Sequence, residues 1–536
     1  MWLCAIQLAH EKYGFEVQDG HRTRLTVYLE NKIKDGYIEF LSGVYMPFTF
    51  SALANLYDFS NDAEITELSQ GAAIRLLQDL DLITNEKGGQ FTVAGRNYKD
   101  YLERQSHVTN TMGWLLTGRG DAPDCCYGQG ANSLATTTLD VASVLSNPAV
   151  EADVSRETGY NRNEFENEWK DLSVHDAQLV AMSMGGYAHA DYISNLWATL
   201  THYDLWDSKY FRDLKALKWL PPPALQFAAN VAAAYTTGSL LHAHIVLHKY
   251  KTTMLSTLND YHKGLDGAQQ WAFVATAGLA PIFLATGDYR SRNPLMHFPY
   301  AKQTKNVALL VYSPSSDLRV FSRENLEVTL LWPEETFSES SREIGNWLVG
   351  REDSSYVAVY RSCLDVNDDG FPSCEAVEQV WACVVGHEDT HGSFDEFLEL
   401  ISVASVSSST SECGSTFSSV QADGQSISVE WEQVNVGPAK LTLILVVVFV
   451  VLLLTLSIFA SLQLKPKELP DESLHKSSNK LGYLSRRPRC LKTWTGDCLL
   501  VIFFILVAVM AVLLVAVLRL SEESHRLSLE TLPEDA

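Results

Sequence analysis

The sequence predicts an α+β chain: a helical N-terminal array or toroid, then an antiparallel β-sandwich, then a two-helix transmembrane hairpin. Three observations predict it. From about Arg22 to Leu220 apolar residues recur at three- and four-residue steps, the spacing of one helix face. After Pro221, Pro222 and Pro223, which exclude helix, the runs turn β-branched and aromatic and alternate with turn-rich segments. Leu441 to Leu464 and Cys498 to Leu518 contain no charged residue, and each is long enough to cross a hydrocarbon core of about 30 Å at about 1.5 Å per residue.

In the helical part, Ile65, Leu68, Ala72, Leu76 and Leu80 make one buried stripe, with Asp58, Ser60 and Asn61 as candidate N-caps before it. The same pattern fits Leu25 to Lys34, Phe40 to Tyr57, Tyr98 to Leu116, Ser133 to Leu145, Ala177 to Tyr187 and Tyr192 to Tyr203. The spacing is too irregular for a repeat of fixed period. Strands are expected at His244 to Lys249, Trp271 to Thr276, Pro281 to Ala285, Asn306 to Tyr312, Leu326 to Trp332, Trp347 to Gly350, Tyr356 to Tyr360 and Val380 to Gly386. The expected division is a helical domain over 1–220, a sandwich over 224–402, and a Ser-rich stalk or sandwich edge over 403–440, with a strand at Ile427 to Trp431. Spans at 441–464 and 498–518, a basic loop over 465–497 and a tail over 519–536 complete it.

At 536 residues, the chain leaves about 440 for two or three folding units once the membrane tail is set aside. The formal net charge of −24 excludes a nucleic-acid partner, which would need a basic face. The clearly basic stretch joins the spans and carries Lys465, Lys467, Lys476, Lys480, Arg486, Arg487, Arg489 and Lys492. By the positive-inside rule that loop is cytosolic, the bilayer is a partner through both spans, and the large N-terminal portion is extracellular or luminal. Cys363, Cys374, Cys383 and Cys413 cluster like extracellular disulfide partners, and Cys125 and Cys126 are adjacent; their pairing is open. Against this topology, MWLCAIQLAHEKYG is no signal peptide, and no N-x-Ser/Thr sequon occurs. The expectation is that the chain begins inside a longer gene product.

An ordered set of stretches resembles a bacterial and fungal family related to heparinase II/III-type polysaccharide lyases. They are GYIEFLSGVY (Gly36 to Tyr45), LANLYDFSNDAEI (Leu53 to Ile65), GRNYKDYL (Gly95 to Leu102), THYDLWDSKYF (Thr201 to Phe211) and the long run from Thr252 to Gly278. QTKNVALLVY (Gln303 to Tyr312), NWLVGREDSSYVAVYRS (Asn346 to Ser362) and QVWACVVGHEDTHGSFDEF (Gln379 to Phe397) continue it, so the resemblance spans about residues 15–402. It implies an α/α toroid followed by a β-sandwich. A Trp-x-Glu-Asn-His segment of the upstream toroid has no match, so the toroid is expected to be incomplete, and the two C-terminal spans are not a family feature.

The resemblance implies β-elimination on a uronate-containing polysaccharide. A Tyr or His removes the proton beside the carboxylate, an Asn, Gln, Arg or protonated acid steadies the enolate-like charge, and a Tyr or His protonates the leaving oxygen. Tyr45, Arg96, Tyr98, His107 and His189 are the candidates in the helical half. The alternative is a non-catalytic glycan-binding or adhesion protein on the same scaffold.

Other motifs carry less. LHAHIVLHKY puts His242, His244 and His248 on one strand face, either an ordinary exposed face or the start of a metal site lacking an evident carboxylate. Asp365 to Gly370 resembles the opening of a calcium loop, but its twelfth position is Ala376, and a polar turn between Cys363 and Cys374 explains it as well. Ser183 lacks the strand–turn–helix setting of a nucleophile elbow. Arg119-Gly120-Asp121 is a three-residue adhesion match. No cofactor motif is present, and the spans carry no ionisable residue to mark a channel.

Overall fold

The computed structural model describes residues 2–432 apart from internal stretches, of which the longer are 38–44, 94–107, 160–171, 184–192, 226–241, 287–294 and 314–325. The chain divides into two units, Met1–Val434 and Asn435–Ala536, and the description concerns the first. Both predicted spans and their basic loop lie outside the described residues. Among the described residues no helix is long and apolar enough to cross a membrane.

The N-terminal layer is helical: α1 (Trp2–Tyr13), α2 (His21–Asp35), α3 (Met46–Phe59), α4 (Ala63–Ile83), α5 (Val108–Thr117), α6 (Gln129–Thr136), α7 (Val174–Ser183) and α8 (Ile193–His202). Helix α4 shows why. Asp62 caps it by accepting from the backbone N–H groups of Glu64 and Ile65. Ile65, Ala72, Leu76 and Leu80 of the predicted stripe are buried, joined by Ala73 and Leu77, and Leu68 packs at the margin. Each fully buried Leu or Ile contributes about 1.5–3 kcal/mol, enough to hold a helix that propensity alone would not.

Inside the stretch that the periodicity reads as helical, residues 152–159 form a strand, β1 (Ala152–Gly159). It pairs antiparallel with β2 (His242–Tyr250), followed by β3 (Thr253–Asn259), β4 (Asp266–Ala268), β5 (Phe273–Ala277), β6 (Ala280–Thr286), β7 (Leu295–His297), β8 (Tyr300–Thr304) and β9 (Val307–Tyr312). Next come β10 (Leu326–Leu331), β11 (Glu339–Ile344), β12 (Trp347–Glu352), β13 (Ser355–Arg361), β14 (Asp365–Val366), β15 (Pro372–Ala376) and β16 (Gln379–His387). An eight-stranded sheet runs β1-β2-β3-β5-β6-β10-β15-β14, and a six-stranded sheet runs β11-β12-β13-β16-β9-β8.

The large sheet is an inner layer. Ile245, Leu247, Met254, Leu258, Val274 and Phe283 join the core beneath the helices. Leu255, Phe273, Ala275, Ile282 and Leu284, on alternate positions, join Leu310, Val357, Trp381 and Val385 of the six-stranded sheet. Burial on both faces is why β5 and β9 read as near-continuous apolar runs rather than clean alternations.

The outer face of the six-stranded sheet is covered by α9 (Glu388–His391), α10 (Phe394–Val403) and a three-stranded sheet of β17 (Ser405–Thr410), β18 (Ser415–Ala422) and β19 (Gln425–Glu432). The Ser-rich segment is therefore a sheet over 405–432, seated through Val420, Ile427, Val429 and Trp431. Ser407, Ser409 and Ser428 occupy the solvent face, whereas Ser418 is buried. A full capping box at Ser393 and Glu396 starts α10. Cys363 and Cys374 form a disulfide, whereas Cys383 is a free thiol buried in the sandwich core, which corrects the expectation that it would bridge.

Candidate functional site

Of the residues the sequence singles out for acid–base work, Tyr45 is described. It precedes α3 at the N-cap position and is 38% exposed. Arg96, Tyr98, His107 and His189 lie outside the described residues.

A different group converges on the helical layer. Ser173 caps α7: its hydroxyl accepts from the Asp176 backbone N–H at 3.1 Å and donates to Asp176 Oδ2 at 2.8 Å. That cap places His175 and Asp176 in the first turn of α7. Helix α8 buries Ile193, Leu196, Trp197 and Leu200, with Trp197 edge-on to Trp206 at 5.4 Å. Packing α7 against α8 brings the two imidazoles face to face. His175 and His202 stack at 4.0 Å with an 11° interplanar angle. Tyr203 stands edge-on to His202 at 4.7 Å and to His175 at 6.1 Å.

The group is oriented from behind. The Tyr203 hydroxyl lies 3.5 Å from Asp176 Oδ1, and Arg24 on α2 donates to the same oxygen at 2.7 Å and to the Asp19 carbonyl at 3.1 Å. Thr199 Oγ1 lies 3.3 Å from His175 Nδ1. Partial burial pushes the Asp176 carboxyl up, but hydrogen bonds from Ser173 and Arg24 outweigh it and hold the group below its ordinary value. Burial, with the charge of Asp176 second, pushes the Tyr203 phenol up. His202 is exposed, His175 and Tyr203 are half-buried, and Arg24 and Thr199 are buried. Two imidazoles and a phenol at a solvent edge, backed by a charged pair, are the residue types that acid–base chemistry uses. The sequence reading passed over these residues. The available signal was Thr201 to Phe211, quoted for the resemblance, and His175 could be added only by the packing of α7 on α8.

A second polar group follows the edge of the eight-stranded sheet. His244 and His248 share one face of β2 as expected but do not converge on one point, and the His242 side chain lies outside the described residues. His244 Nε2 meets Ser155 Oγ at 2.7 Å, and His248 Nδ1 meets Asp153 Oδ1 at 2.7 Å with Glu151 Oε1 at 3.8 Å. The carboxylates missing from the sequence argument come from β1 and the residue before it. Further along, the Tyr250 hydroxyl donates to Asp389 Oδ2 at 3.2 Å, Lys251 pairs with the same oxygen, and Tyr250 stands edge-on to His387 at 5.3 Å. His391 Nε2 lies 3.0 Å from Asp423 Oδ2, to which Asn306 Nδ2 donates at 2.5 Å.

The remaining motifs resolve as structure. Asn367 Oδ1 accepts from the backbone N–H groups of Asp369 and Phe371, so Asp365 and Val366 form β14 and the residues from Asn367 to Phe371 make the polar turn into β15. Ser183 ends helix α7. Arg119 is spent on Asp81 at 3.0 Å and on the carbonyls of Thr84 and Ser146, so it offers no adhesion surface.

No family model and no curated protein matches the chain. Among solved structures it is similar to the crystal structure of heparinase III, with 9% identity, a TM-score of 0.18, and coverage of 80% of this chain and 74% of that one. Likeness at that level carries no argument, and function rests on the residues.

Proposed function

We propose that the chain is a membrane-anchored, carbohydrate-directed protein whose helical half acts on a uronate-containing polymer by β-elimination. The observation that carries this reading is the stacked His175–His202 pair against Tyr203 at a solvent edge. The exposed His202 imidazole takes the proton beside the uronate carboxylate, and that C–H electron pair becomes the new C=C bond as the glycosidic C–O bond breaks. Tyr203, whose phenol is held protonated by burial and by Asp176, gives its proton to the departing oxygen. Arg24 is a positioning residue: it holds Asp176, and Asp176 holds Tyr203. Arg96, with Tyr45, Tyr98, His107 and His189, is proposed to supply the charge stabilisation that the described group lacks. The apolar runs 441–464 and 498–518 anchor the chain with the basic loop cytosolic, and the incomplete-toroid reading of the helical layer belongs to the same proposal.

The net charge of −24 favours a second reading, non-catalytic binding of a neutral glycan, because a polyanion would be repelled without a local basic cleft. The test is incubation of the full chain with a panel of uronate polysaccharides. Release of unsaturated products absorbing in the ultraviolet supports the lyase. A flat trace across the panel together with retention on a neutral glycan column supports the binding protein.

A further inference from the structure

We propose that Glu151, Asp153 and His248 form a divalent-metal site, suited to zinc, on the edge of the eight-stranded sheet. The β1–β2 register sets Asp153 directly opposite His248, so both side chains leave the same face. Glu151, two residues before Asp153, shares its parity and reaches the same imidazole nitrogen. The three ligand atoms lie within 4.8 Å of one another. A tetrahedral zinc with bonds of about 2.0–2.2 Å separates its ligand atoms by roughly 3.3–3.5 Å. The two distances from His248 Nδ1, 2.7 Å to Asp153 and 3.8 Å to Glu151, straddle that value, so small rotations of the two exposed carboxylates bring each to bonding distance from a metal held on this nitrogen.

The chemistry of the set points the same way. Two carboxylates converge on one imidazole nitrogen, an arrangement of negative charge that a divalent cation relieves. Asp423 adds a further negative group within electrostatic reach of His248. One nitrogen and two oxygens make a borderline donor set, which suits zinc better than calcium or magnesium. His248 is only 6% exposed and fixed by the sheet, whereas the Asp153 and Glu151 side chains are 43% and 47% exposed. The open side leaves a coordination position for water, so the site is built like one that holds an exchangeable ligand rather than a closed structural centre.

The experiment is zinc(II) titration of the full chain after chelator treatment, by calorimetry, with cobalt(II) as a visible-absorption probe. The wild type is expected to bind one equivalent that E151Q and D153N lose or bind at least tenfold more weakly, with the tetrahedral cobalt band lost in parallel. Glu151 is exposed, so E151Q tests the site without threatening the fold, and zinc should raise the Tm of the wild type but not of E151Q. The proposal is overturned if the wild type binds no zinc, or if both variants keep its stoichiometry and affinity, which would place the metal on other histidines.

Discussion

Lys249, on β2 of the large sheet, donates its ammonium to the carbonyl oxygens of Asp81 at 2.9 Å and Thr84 at 3.2 Å, so the sheet itself caps the C-terminal end of α4. Burial pulls the Lys249 pKa down to about 8, with Asp81 opposing that shift. The cation also complements the negative end of the helix dipole. Lys249→Met removes both donations while the Thr84 carbonyl keeps Arg119 and the Asp81 carbonyl keeps the Thr84 N–H, and we expect a loss of about 1 kcal/mol, read as a lower urea midpoint at pH 7.

Lys32 is a buried lysine with the opposite expected outcome. It faces the rings of Tyr28 and Tyr37 at 5.1 and 5.3 Å, and burial, offset in part by Asp35, brings its pKa down to about 7. Between that value and the ordinary lysine range the unfolded chain holds more protons than the folded one, so stability rises with pH across this window. Lys32→Met should stabilise the protein by about 1–3 kcal/mol at pH 6 and by less at pH 10. Equal effects at the two pH values would contradict the assigned cause.

Asp423 pins the β18–β19 turn to the six-stranded sheet through His391 and Asn306, and the His391 hydrogen bond, ahead of opposing burial, holds its carboxyl below the ordinary value. That stabilisation is present above the ordinary carboxylate range and lost as pH falls through the depressed folded value. The protection factors of amides in β18 and β19 should fall as the pH drops, by about 1 kcal/mol after correction for intrinsic exchange, and Asp423→Asn should flatten the dependence.

The Cys363–Cys374 disulfide closes a loop of sequence separation 11 around β14 and the Asn367 turn. Replacing both residues with Ala should cost about 2–3 kcal/mol, read as a lower denaturant midpoint.

The sequence reading missed β3 (TMLSTLN), which is buried throughout but mixed in polarity, as well as β8, β11, β14 and β15, whereas VALLVY and QVWACVVGH were legible because burial on both faces gives long apolar runs. Strand β1 was not. An edge strand such as ADVSRETG exposes Asp153, Ser155 and Glu157 and has no apolar run, and it lies among helices in the chain. The same strand supplies the carboxylates that the histidine spacing of β2 lacked, 95 residues away from His248 in the case of Asp153. The His175–His202 group failed for a related reason: periodicity identifies each helix but not which first turn meets which last turn. In the Ser-rich segment composition hid a sheet, since Val420, Ile427, Val429 and Trp431 alternate with polar residues on one buried face.

The central claim is tested most directly by the initial rate of unsaturated-product formation on a uronate polymer cleaved by the full chain, compared with Tyr203→Phe and His202→Gln. The account predicts a loss of about 100-fold or more in kcat for each variant, with folded spectra retained. A rate within twofold of the wild type in both variants would contradict it.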